Sequence, residues 1–162
     1  MSKTDKSKQV KNKIEKWLLE EDFKIKTDTE TRNLFTLLVE DPRGIRSVIL
    51  QPLTALDKVV IGITTKIDDK QMAKIEQMDN ADRENFFWEI ASGLLSLQVN
   101  FTSLTFPFKE MRVSSEIYFD GVTKNSFFNT YDKVRRGVAF ILLAFRNKLG
   151  CEKKTSNTFY IG

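Results

Sequence analysis

The side chains able to do chemistry in this sequence are few. Histidine is absent, which removes the usual general base, the usual activator of a nucleophile and the commonest metal ligand together. A Ser-His-Asp or Cys-His site is excluded. The lone cysteine, Cys151, cannot build a cysteine-zinc cluster, and the glycines stand singly, so no phosphate-cradling loop is present. Carboxylate chemistry remains. Glu20-Glu21-Asp22 and Asp68-Asp69 are the acidic clusters, and both fall at expected helix ends, where capping and solvation account for them. Two neighbouring aspartates without a third ligand make a poor metal site. Cys151 lies near Lys153 and Lys154, which mildly favours its thiolate, but nothing else catalytic accompanies it and an inert cysteine is the expectation. The chain reads as a non-enzyme with no cofactor and no metal.

The elements that would carry any site are easier to read. Gly137 to Phe145, GVAFILLAF, has no polar side chain and must be buried, yet it is far short of the ~20 residues that span a bilayer. It reads as the middle of a long closing helix. Phe127, Tyr131, Val134, Val138, Ile141, Leu142, Phe145 and Leu149 share one face at helical spacing, the stripe of a helix packed on a sheet. Phe140 and Leu143 point the other way. Gly150 suits the residue that ends this helix.

Before it, an amphipathic helix is expected from Lys8 to Glu21, with Val10, Ile14, Trp17 and Leu18 inward. Phe23 and Ile25 then alternate as a short strand would. Strands follow at Leu34 to Glu40, Ile45 to Gln51 and Lys58 to Ile67, the first two joined by Asp41-Pro42-Arg43-Gly44, a type I turn signature. A helical stretch comes next, interrupted near Asp79-Asn80-Ala81-Asp82, its stronger part running from Arg83 to Gln98 with Phe86, Ile90, Leu94 and Leu97 inward. Trp88 and Leu95 lie on its reverse. Asn100 to Phe108 and Met111 to Asp120 read as two further strands tightly connected at Lys109-Glu110, with Pro107 at an edge or strand end.

The expected fold class is therefore α+β, two-layered, in the order α-β-β-β-α-β-β-α: a three-stranded meander plus a hairpin in a twisted antiparallel sheet covered by helices. Residues 1–7 are expected as a flexible basic N-terminus, 8–150 as a single domain and 151–162 as a flexible tail carrying Phe159, Tyr160 and Ile161. At 162 residues, 41% hydrophobic and 30% charged, one domain can bury a core unaided. The single cysteine and the lack of an apolar N-terminal segment point to the cytoplasm.

Net charge is +4, concentrated where Lys3, Lys6, Lys8, Lys11 and Lys13 crowd the start against Asp5 alone. With Arg135, Arg136 and Arg146 on the closing helix, Lys8 and Lys11 define a nucleic-acid-binding alternative. A solvated terminus explains the lysines as well, since no aromatic platform lies among them.

The element order resembles the type III secretion chaperone-like fold, shared by secretion chaperones and YbjN-type proteins. The run from Trp88 through LLSLQVNFTSLTF to IYFDG, with the apolar closing helix, is similar to an uncharacterised family of domains found mainly in archaea, over roughly Lys8 to Gly150. The fold resemblance implies a convex helix layer over a twisted sheet, frequent homodimerisation and a role in holding other polypeptides. The chain departs from secretion chaperones in being basic. Together these observations give the expectation of a non-enzymatic protein-binding, chaperone-like module, a homodimer, associating through Trp88, Leu95, Phe140 and Leu143. The alternative for those four residues is burial within one chain.

Overall fold

The computed structural model describes residues 3–29, 32–102, 104 and 106–150. Helix α1 spans Lys3–Glu20 and buries Val10, Ile14 and Leu18. It starts five residues earlier than the apolar periodicity indicates, because Ser7 is buried and its hydroxyl donates to Gln51 Oε1 on the sheet. From Lys6 onward the lysines thus lie on the outer side of a docked helix and not on a separate arm.

Strand β1 (Lys24–Thr27) pairs with β2 (Asn33–Glu40), making a strand of the short Phe23/Ile25 alternation. The turn to β3 (Arg46–Pro52) closes where Gly44 N–H donates to the Asp41 carbonyl at 2.9 Å. The Asp41 carboxylate accepts from the Arg43 and Ile45 amides, also at 2.9 Å, and Gly44 takes φ +82°, which only glycine adopts freely. Strand β4 (Lys58–Lys66) completes the meander.

The middle helical stretch divides into α2 (Asp69–Glu76) and α3 (Asn80–Ser96). Asp68 caps α2 by accepting from the Gln71 amide at 2.7 Å, and Asp79 caps α3 through the Asp82 amide at 2.8 Å. Of the two acidic clusters, Asp68-Asp69 is thereby used as a helix start, while Glu20-Glu21-Asp22 lies where α1 ends. Strand β5 is only Asn100–Phe101, not the longer strand expected to Phe108. After Thr102 donates to the Arg112 carbonyl the chain leaves the ladder, so the tight connection expected at Lys109-Glu110 does not form. The side chains explain this: the Phe106 ring lies under the Arg83 guanidinium at 4.6 Å and Phe108 packs on Phe87 at 5.3 Å, drawing the segment onto α3. Strand β6 (Glu110–Tyr118), a 3₁₀ turn (Phe119–Gly121) and α4 (Lys124–Leu149) follow, the last opened by a Thr123/Ser126 capping box and ended at Gly150 with φ +77°.

The six strands form one antiparallel sheet in the order β1-β2-β3-β4-β6-β5. Register places Leu37 beside Ile49, Ile49 beside Ile61 and Ile63 beside Val113, so these buried side chains share one face. The four α-helices of the described residues pack on that face. Burying each large apolar side chain contributes ~1.5–3 kcal/mol, and Phe86, Phe127, Ile14 and Leu94 are among those wholly enclosed. Helix α4 comes down close on β6 at Gly137, where a Cβ would meet Val113 Cγ1 at 2.8 Å. On the opposite face Leu38, Val48 and Gly62 stand in a row that no helix among the described residues covers. No helix among the described residues is long and apolar enough to cross a membrane.

Candidate interaction surface

Helices α3 and α4 run antiparallel, fixed at one end by Phe86 against Phe145 at 5.1 Å and further along by Phe140 over Gly93. The inward stripes of both helices are spent on the sheet. Their reverse sides are not, and there Trp88 is 68%, Leu95 61% and Leu143 54% exposed. Trp88 and Leu95 stand two turns apart on α3, so they share its outer side. Phe140 does not belong with them. It is half-buried, its ring against Gly93 and the core. Of the four residues singled out from the sequence, three are therefore surface and one is helix-helix packing.

The cations of the nucleic-acid alternative are spread along the molecule. Lys8 is exposed, while Lys11 pairs with Glu15 at 3.3 Å on the same helix. Arg135 and Arg136 both turn to Asp132, at 2.8 and 4.0 Å. Arg146 lies exposed in the last turn of α4, ~33 Å along the helix from Lys124, the residue that meets α1. These cations form no single stripe. Arg135 and Arg136 instead border, with Arg43, a hollow of about 330 Å³ between α4 and the β2–β3 turn. Cys151 and the Phe159-Tyr160-Ile161 segment lie outside the described residues.

The remaining electrostatics hold elements together. Lys124 bridges Glu20 at 2.9 Å and Glu21 at 2.7 Å, tying the end of α1 to the start of α4. These hydrogen bonds hold Glu20 below the usual carboxylate range and Lys124 above that of a free lysine. Glu40 is likewise lowered by Lys24 and then Arg46 across β1, β2 and β3, and Lys58 is raised by its bond to Glu116 between β4 and β6. In the core, burial pushes the Tyr131 phenol up to about 12, and neither its hydroxyl nor Ser47 Oγ finds a hydrogen-bond partner among the described residues. No group of three or more His, Cys, Asp or Glu able to hold a metal occurs among the described residues.

The face of the sheet away from the helices also carries apolar side chains, Leu38 and Val48. A signal for it exists in the sequence: Leu37-Leu38-Val39 and Val48-Ile49-Leu50 are continuous apolar runs where a half-exposed strand would alternate.

Fold and surface together define a two-layer α+β domain, one sheet and one helical layer, with apolar side chains left outside that layer. The chain belongs to the family described as uncharacterized conserved protein (DUF2299), which it matches over residues 10–145. It is similar to the crystal structure of an uncharacterized protein from Methanothermobacter thermautotrophicus, at 25% identity and TM-score 0.80, covering 87% of this chain and 99% of that one. It also aligns with the crystal structure of YbjN from E. coli, at 9% identity and TM-score 0.46, over 84% of this chain and 89% of that one. No curated protein matches it.

Proposed function

We propose that this protein is a non-enzymatic protein-binding module that self-associates through the outer side of α3 and α4. The observation that carries this is the exposure of Trp88, Leu95 and Leu143 on two adjacent helices whose other sides are already packed. Trp is among the residues enriched where binding energy concentrates at interfaces, and Leu95 and Leu143 add apolar area to it. Fully burying an exposed apolar side chain contributes ~1.5–3 kcal/mol, and covering these three, each 54–68% exposed, contributes somewhat more than half of that apiece towards the cost of association.

Sedimentation across a range of concentrations tests the proposal. The wild-type protein is expected to form a dimer, and Trp88→Asp and Leu143→Asp are each expected to yield monomers of unchanged circular dichroism. Because both side chains are more than half exposed, these substitutions leave the core intact. A wild-type protein monomeric at every concentration, with no nuclease-resistant polypeptide recovered from native lysate, would sink the proposal. Recovery that vanishes with nuclease would transfer it to nucleic acid.

A further inference from the structure

The face of the sheet opposite the helices holds a hollow of about 450 Å³, floored by Leu38, Val48 and Gly62. The three are cross-strand neighbours, Leu38 beside Val48 and Val48 beside Gly62. Gly62 is the informative one. It occupies the interior of β4, a central strand, where glycine weakens the element because it has no side chain to pack and much backbone entropy to lose. Nothing in the fold demands it: its φ is not left-handed, and an added Cβ would meet Ser114 Cβ and the Val113 carbonyl at 3.8 Å, ordinary contact distances. A larger residue would therefore fit the protein and fill the hollow. Glycine inside a strand marks a place where something comes close to the backbone.

The rim is cationic. Lys24, Lys26 and Arg46 line it, against a single carboxylate, Glu40. Glu40 is already held by Lys24 at 2.7 Å and Arg46 at 3.1 Å, while Lys26 has no carboxylate partner among the described residues. Arg112 reaches Thr64, which also lines the hollow, at 3.3 Å and adds a further positive charge beside it. An apolar floor, a few convergent polar groups and this volume are the attributes of small-molecule sites. The surplus of cations selects an anion.

We infer that this hollow binds a small, largely apolar molecule carrying one anionic group, a carboxylate, sulfonate or phosphate. The apolar body lies over the Gly62 backbone between Leu38 and Val48, and the anion meets Lys26 and Arg46. This site lies on the side of the sheet away from Trp88 and Leu143, so it stands or falls independently of the association surface.

A matched pair of probes tests it: 8-anilinonaphthalene-1-sulfonate, and N-phenyl-1-naphthylamine, which has the same aromatic body without the sulfonate. Amide shifts of the full chain are followed during titration with each. The sulfonate probe is expected to move Lys26, Leu38, Val48 and Gly62 and to bind at least about tenfold more tightly than the neutral one. Gly62→Val is expected to weaken the sulfonate probe by at least about tenfold while the thermal midpoint holds or rises. Lys26→Gln, an exposed change that leaves the strand unaltered, is expected to weaken the sulfonate probe alone. The inference is overturned if shifts centre on Trp88 and Leu143, if the neutral probe binds equally well, if Gly62→Val binds with undiminished affinity, or if neither probe binds at millimolar concentration.

Discussion

The ring of Phe140 lies directly over Gly93, so close that a Cβ on Gly93 would fall 2.1 Å from Phe140 Cζ and 2.2 Å from Cε1. This contact brings the backbone of α3 against α4 and removes Phe140 from the outer surface.

Gly93→Ala therefore reverses the usual effect of that substitution. In a free helix alanine is better than glycine by ~1 kcal/mol. Here the added methyl must displace the ring, and overpacking of this kind is expected to destabilise by ~1–3 kcal/mol. Denaturant midpoints measure it, and Phe140→Leu combined with Gly93→Ala should recover part of the loss. A stabilised Gly93→Ala protein would mean that the helices are not in contact at this point.

Tyr131 offers a second measurement. Its hydroxyl and Ser47 Oγ are buried without a hydrogen-bond partner among the described residues, and an unpaired buried polar group costs ~1–3 kcal/mol. Tyr131→Phe is expected to keep the ring contact with Phe23, at 5.3 Å, and to raise stability by ~1 kcal/mol. The pH dependence has a definite sign. The folded phenol is raised from 10.0 to about 12, so stability is full below pH 10 and is lost as pH climbs through that interval, where the unfolded chain ionises and the folded one does not. Tyr131→Phe should flatten the alkaline limb.

At low pH the ion pairs govern. Glu20 and Glu40 are both held below their ordinary 4.5, by Lys124 and by Lys24 with Arg46, so their contribution is present above 4.5 and is lost as pH falls below it towards the folded values. Lys124→Met is expected to shallow the acid limb, and added salt should do the same in the wild type, since these pairs are solvent-exposed. Thermal midpoints across pH 3 to 6, at low and high salt, check both.

The two tryptophans differ in a way that tests the proposed association. Trp17 is half-buried with its ring 6.2 Å from Phe127, whereas Trp88 is 68% exposed. Iodide should quench the emission of Trp88 in dilute protein and lose access to it as concentration rises. In Trp88→Phe the remaining emission should be blue-shifted and indifferent to concentration.

Much of the architecture follows from local pattern. Spacing near 3.6 marks Val10, Ile14 and Leu18, then Phe86, Ile90 and Leu94, then Phe127, Val134 and Phe145 as inward, and all nine are buried. Alternation does the same for Val59, Ile61 and Ile63, and Asp41-Pro42-Arg43-Gly44 closes its hairpin through its own carboxylate. The site was less legible. Phe140 and Leu143 are equivalent by pattern, both apolar and both on the reverse of α4. Only the approach of Gly93 makes one a packing residue and leaves the other outside.

The sequence by itself determined most of the segments that are helix or strand and which side of most of them is buried, because periodicity and turn chemistry act between residues close along the chain. Tertiary structure decided three things that depend on partners distant in sequence. Residues after Phe101 have strand composition, yet Arg83 and Phe87 capture Phe106 and Phe108 and end β5 after two residues. The lysine-rich start is helical from Lys3, with Ser7 bonded to Gln51, 44 residues away. The helices of the described residues gather on one face of the sheet, with Gly62 on the other: a strand's alternation shows that it has two sides, but which side is covered depends on where every other element packs.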